Sequence, residues 1–126
     1  CLDTAHLFAS GYAIHTEQGL AETISAFDRI VGRAQLKLIH LNDSKVPFES
    51  RVDRHWHIGE GCIGEEAFRR IVRHEAWKDV PWILETPKSS ERDDAKNLNH
   101  VRELAEAEKP PLKQVHAKAK ARTKAR

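Results

Sequence analysis

Gln35-Leu36-Lys37-Leu38-Ile39-His40-Leu41-Asn42-Asp43-Ser44 is a short apolar stretch that runs into a turn-prone Asn-Asp-Ser. A run of this length, closed by polar turn formers, reads as a buried strand entering a loop. The strand delivers His40 at its C-terminal end. Further along, Val80-Pro81-Trp82-Ile83-Leu84-Glu85 has the same form, ended by Thr86-Pro87, and places Glu85 at a strand edge. Between the two lie a long polar segment, roughly 42–63, and a short helix. Glu65 and Glu66 open that helix, Phe68, Ile71 and Val72 give it an apolar face, and Arg69, Arg70 and Arg73 come late, in accord with the macrodipole.

Helices flank these strands on both sides. Leu20, Ile24, Phe27, Ile30 and Val31 recur at helical spacing before Gly32, where a C-cap glycine belongs. A last helix, about 91–107, carries Leu98, Val101, Leu104 and Ala105 on one face, and Pro110-Pro111 stops it. The order strand end, helix, strand, long loop, helix, strand, helix predicts a parallel α/β sheet. Function in such folds gathers at the C-terminal ends of strands, where Asp3 with His6, His40 and Glu85 all fall.

Composition narrows the class. The chain has 126 residues, 40% of them hydrophobic and 32% charged, and no apolar run near the roughly 20 residues of a membrane span. We expect a soluble chain and no membrane partner. Cys1 and Cys62 make no disulfide or metal-knuckle framework, so a reducing, cytoplasmic setting is expected. The start at Cys1 and the lack of any Met lead us to expect that the beginning of a longer domain has been cut away. The net charge is +2, yet residues 109–126 hold seven Lys/Arg and no acid, so the body is acidic and the basicity sits in a tail expected to be disordered. An acidic body suits metal-binding carboxylates, and a basic arm suits a phosphate-rich partner.

Three groups of residues have ligand chemistry. Asp3 and His6 are three apart, close enough for a strand-to-loop turn to aim both into one cavity, although Asp3 could instead cap a turn and His6 could be a hydrogen-bonded core histidine. Asp53 and His55 are two apart, so an extended segment sends both to one face, unless this is merely an exposed polar loop. Glu85 ends an apolar strand, and a carboxylate pointing into a core must be paired, protonated or bound to metal. Carboxylate with imidazole suits zinc, manganese or iron and does not choose among them.

Cys1-Leu2-Asp3-Thr4-Ala5-His6, His40-Leu41-Asn42-Asp43-Ser44-Lys45, Ser50-Arg51-Val52-Asp53-Arg54-His55 and Ile83-Leu84-Glu85-Thr86-Pro87 together resemble, in order and spacing, the C-terminal signatures of the endonuclease IV family. The resemblance covers about residues 1–105. It implies the last three βα units of a (β/α)8 TIM barrel, of the xylose isomerase-like group, spanning 1–108, with 109–126 as the tail. It also implies a zinc-dependent DNA repair endonuclease that hydrolyses the phosphodiester 5′ to an abasic site by a metal-activated hydroxide. The expected partner is double-stranded DNA with such a lesion, and the expected setting is a monomeric enzyme of the bacterial cytoplasm, associated with the nucleoid. Up to three zinc ions are implied, with manganese as a substitute. Asp3, His40 and Glu85 would hold the paired ions, with Glu85 bridging and catalytic, and His6, Asp53 and His55 the third.

The two histidines and the glutamate that complete the paired site in the family belong to earlier strands absent from this sequence, so the chain alone is expected to be inactive. Ala5 stands where the family usually has Cys, and Glu49 where Gly is usual, which bears on the turn before Asp53. Lys45, Arg51 and Arg54 are candidates for phosphate contact, and Asn42 and Asp43 for orienting ligands. His57 is left out of the ligand set, and His15, His74, His100 and His116 are expected on the solvated surface. The alternatives are a sugar isomerase or epimerase on the same barrel, which has no evident need for the Asp53-Arg54-His55 element, and a non-catalytic module that binds metal or DNA.

Overall fold

The computed structural model describes residues 1–106. The tail expected at 109–126 lies outside them. Among the described residues no helix is long and apolar enough to cross a membrane. A parallel sheet of three strands is present, ordered β1 (Leu2–Asp3), β2 (Ile39–His40), β5 (Trp82–Ile83). Leu2 faces Ile39 and Asp3 faces His40, while Ile39 faces Trp82 and His40 faces Ile83. Parallel neighbours in this register bring the residues that end each strand to one level. β1 and β5 form the edges, as three strand units predict.

The strands are shorter than their apolar runs. Arg33–Gln35 is a 3-10 turn, so the stretch that begins at Gln35 becomes strand only at Ile39. The long polar segment is more ordered than its composition suggests. β3 (Asp43–Ser44) and β4 (His55–Trp56) pair antiparallel, Asp43 against Trp56 and Ser44 against His55. This hairpin grows directly from the end of β2 and carries His55 back toward the sheet.

Among the described residues four α-helices pack around the core that the sheet shares. α1 (Thr4–Ala9) begins where β1 ends, because the Asp3 side chain accepts from His6 N–H and caps it. α2 (Glu17–Ile30) is capped by Thr16, whose hydroxyl accepts from Gly19 N–H. It ends at Gly32, whose φ of 97° lets its N–H return to the Phe27 carbonyl. Leu20 is buried, whereas Ile30 and Val31 at the far end of the apolar stripe are exposed together with Tyr12. α3 (Glu65–Val72) buries Ala67, Phe68 and Ile71, with its acids first and arginines last as the sequence predicts.

α4 (Asp93–Ala105) presents a different face from the one expected. Asn97 and Leu104 are buried and Val101 packs against the core, while Leu98 is exposed. A polar residue therefore occupies one place in the inward stripe. At the start of α4, Asp93 accepts from the backbone and side chains of Ser89 and Ser90, and these bonds lower its pKa to about 2. Two histidines expected on the surface are half-buried against aromatic rings. His15 lies beside Phe8 and Phe48, and His74 accepts from Ala76 N–H beside Trp77.

Asp43 anchors the loop that follows the hairpin. Its carboxylate is fully buried and accepts from the N–H groups of Ser44, Gly59, Gly61, Ile63 and Gly64 at 2.7–3.4 Å. Burial pushes the carboxyl above its ordinary value, against the downward pull of those amides. Gly61 is required for the approach, since a Cβ there would stand 2.4 Å from the Ser44 carbonyl oxygen. Asp43→Ala strands several buried N–H groups at once, and we expect a loss of about 3 kcal/mol or more in urea denaturation. A loss below about 1 kcal/mol would show that water replaces the carboxylate there.

Glu49 and Arg51 adopt left-handed backbone, at φ 62° and 57°. The family resemblance expects Gly at 49, and the conformation gives the reason. This turn is fastened to the end of α1 by Glu49 N–H to the Phe8 carbonyl and Arg51 N–H to the Ala9 carbonyl. Glu49→Gly should raise stability by about 1 kcal/mol, read as a higher urea midpoint, and an unchanged or lower midpoint would mean the Glu49 side chain compensates the strain.

Candidate metal centre

Asp3 is the hub of the rim. One carboxylate oxygen caps α1, and the other, Oδ2, lies 3.2 Å from Asn42 Nδ2, 3.6 Å from His40 Nδ1 and 3.8 Å from His55 Nε2. The same side chain is thus both a helix cap and a potential ligand. Its burial, with 8% of the side chain exposed, keeps it in this one place. Glu85 follows β5, and its Oε1 touches His40 Nδ1. The Glu85 side chain is 45% exposed, so it points along the open rim and not into the core as expected from its strand.

Asn42 sets the spacing between these groups. It is fully buried, its Nδ2 donates to Asp3 and its Oδ1 accepts from Glu85 N–H at 2.8 Å. Thr4 Oγ1 donates to the Asn42 carbonyl at 2.6 Å and accepts from Asn42 N–H at 2.8 Å, which locks the end of β1 to the end of β2. Sequence reasoning does not find Thr4 as a site residue. Its position between two ligand-type neighbours is the available signal.

His6, Asp53 and His55 converge from α1, the polar loop and β4. Asp53 Oδ1 lies 3.1 Å from His6 Nε2 and 3.1 Å from His55 Nε2. Two overlapping donor sets therefore exist: Asp3, His40 and Glu85 have ligand atoms within 4.8 Å of one another, as do Asp3, His6 and His55. Asp3 belongs to both, whereas the family resemblance assigns it to the first alone. A cleft of about 390 Å³ beside them is lined by Asp3, His6, His40 and Leu7.

The His55 ring tests whether this arrangement fits a cation. Its Nδ1 lies 3.0 Å from the Glu85 carbonyl oxygen, an acceptor, so Nδ1 carries the proton. Nε2 then presents a lone pair, is buried, and has no hydrogen-bond partner, although two carboxylates lie nearby. A ring held by a carbonyl through one nitrogen, with the other aimed at carboxylates, is how a metal-binding histidine is oriented by its outer neighbours. Three carboxylates and three imidazoles make a donor set that fits zinc or manganese.

The remaining candidates divide by position. Lys45, Arg51 and Arg54 are exposed on the segments around the hairpin, and Lys45 Nζ sits 4.6 Å from the centre of the Trp56 ring. His57 turns away from the donor sets and bonds to Asn97 at 3.1 Å. His100 lies near Glu65 and Glu103, at 3.5 and 3.7 Å, outside the rim.

The family model described as "Xylose isomerase-like TIM barrel" matches residues 1–108. A protein of Natronomonas pharaonis named "Probable endonuclease 4" is 52% identical over 106 residues, covering 84% of this chain and 38% of that protein. One of the same name from Halothermothrix orenii is 52% identical over 103 residues, covering 81% and 37%. The crystal structure of endonuclease IV from Thermus thermophilus superposes with a TM-score of 0.72 at 41% identity, over 82% of this chain and 37% of that one. The chain thus spans under two fifths of the length of the relatives it matches. Its parallel strands, rim residues and these likenesses agree, and the chain belongs to the xylose isomerase-like TIM barrel family.

Proposed function

We propose that this chain supplies part of the zinc centre of a DNA repair endonuclease that hydrolyses the phosphodiester 5′ to abasic sites. The observation that carries the reading is His55, whose Nδ1 is engaged by the Glu85 carbonyl while its buried Nε2 faces Asp53 and Asp3 without a hydrogen bond. The names of the relatives and the structural neighbour support the reaction class. In this reading Asp3, His40 and Glu85 would hold the paired ions, and His6, Asp53 and His55 a third. Zinc at these positions would activate water for attack on phosphorus and neutralise developing charge, and manganese has the donor preferences to replace it.

The protein groups have their own tasks. Asn42 and the Glu85 carbonyl keep the ligands at fixed spacing, so little reorganisation is needed when DNA binds. Lys45, Arg51 and Arg54, exposed between β3 and β4, would contact phosphates beside the lesion, and the basic run from Lys109 onward would add sequence-independent phosphate contacts. An abasic sugar leaves the duplex more easily than a paired nucleotide, which favours the lesion over intact DNA. A monomeric enzyme of the cytoplasm, working at the nucleoid, accords with this partner.

The test is made on a chimera in which this chain follows the preceding part of the Natronomonas pharaonis relative. We expect nicking 5′ to the lesion in an abasic duplex, loss of activity with EDTA, and a reduction of at least about 100-fold in Glu85→Gln and His55→Ala. Full activity after chelation would exclude the metal mechanism. Interconversion of an aldose and a ketose without DNA cleavage would move the chain to the sugar isomerases.

A further inference from the structure

Asn97 is a buried amide in the inward stripe of α4, a place where an aliphatic side chain would pack without any polar obligation. Its Oδ1 accepts from Ile58 N–H at 3.0 Å, which fixes the orientation of the amide, because a backbone N–H can only donate. Nδ2 is then directed at three acceptors: Thr86 Oγ1 at 3.2 Å, His57 Nδ1 at 3.1 Å and the Asp93 carbonyl at 3.0 Å. Thr86 is itself buried. These contacts belong to two separate segments. Ile58 and His57 follow closely on His55, and Thr86 follows directly on Glu85.

The two segments meet a second time at the rim, where His55 Nδ1 donates to the Glu85 carbonyl. Asn97 and this bond therefore tie the same two strands of backbone at two levels, one beside the donor sets and one behind them. We propose that Asn97 is a positioning residue for the metal centre, setting the separation of His55 from Glu85 through Ile58, His57 and Thr86. The inference rests on the metal reading above. It explains why α4, the helix after the last ligand, keeps an amide where its apolar stripe would otherwise continue. Without that amide Ile58 N–H and Thr86 Oγ1 lose their shared partner, and the His55 ring can drift relative to Glu85 while β4 and β5 stay in place.

The test uses the 126-residue chain with Co2+ as probe, comparing the unmodified chain with Asn97→Ala, Thr86→Val and His55→Ala. Affinity and visible absorption are recorded well below each variant's unfolding midpoint, so that a loss of stability does not masquerade as a loss of affinity. We expect Asn97→Ala to weaken Co2+ binding about 10- to 100-fold and to change the absorption bands, and Thr86→Val to do so by a smaller factor. Parental affinity and spectrum in Asn97→Ala would overturn the positioning role and leave the metal reading standing. An unmodified chain that binds Co2+ no better than His55→Ala would sink the metal reading and the positioning role with it. Should Asn97→Ala not fold, Thr86→Val decides, and unchanged binding in that variant overturns the proposal.

Discussion

A carboxylate with no exposure to solvent must find its donors within the protein, and Asp43 finds five backbone N–H groups, four of them from residues 59–64. That constraint shapes everything around it. The loop has to wrap closely enough to deliver its amides, which is why Gly61 must be there and why Cys62 N–H reaches the Ser44 carbonyl at 2.7 Å. Once the loop is drawn in, β4 lies against β3 and His55 is brought over the sheet. Next door, just past β2, Asn42 is equally buried and turns the other way, bonding Asp3 and Glu85. Two adjacent polar residues thus divide the work: one folds the loop, the other spaces the ligand-type carboxylates.

The density of buried polar groups at this rim is high for so small a sheet. Asp3, Thr4, Asn42, Asp43, Ser44, Thr86 and Asn97 are all buried, and each has hydrogen-bond partners. A satisfied network of this kind specifies a unique arrangement more than it adds stability, because each bond mostly replaces one to water. The apolar cluster around Phe8, Phe68, Ile39, Leu41 and Ile71 supplies the driving force beneath it.

Much of this was legible in the sequence where one pattern dominated. The charge order of α3, the stripe of α2 and the strands that lead to His40 and Glu85 could be read because periodicity, caps and turn residues agreed. The hairpin could not, since strands of two residues carry no alternation to detect. Asp3 was read as either a cap or a ligand-type group; it caps α1 through Oδ1, while Oδ2 faces Asn42 and His40. α4 misled because Leu98 was read on the apolar face; it is exposed and Asn97 is buried, for a polar network behind the rim outranks hydrophobicity there. Glu85 was expected to point inward, but its strand ends at an open edge and leaves its side chain half in solvent.

The residues that converge on Asp3 come from α1, the end of β2, the hairpin and the segment after β5, so each donor set joins positions far apart along the chain. No partial structure made of neighbouring residues can assemble either set. If the proposed centre takes an ion, loop closure would come before ligation, and the free energy of capture would be gained only by chains that have already reached the native topology. The proposed centre would in that sense be a checkpoint on folding: it would not guide the early search, and it would hold the finished arrangement once the last strand has docked.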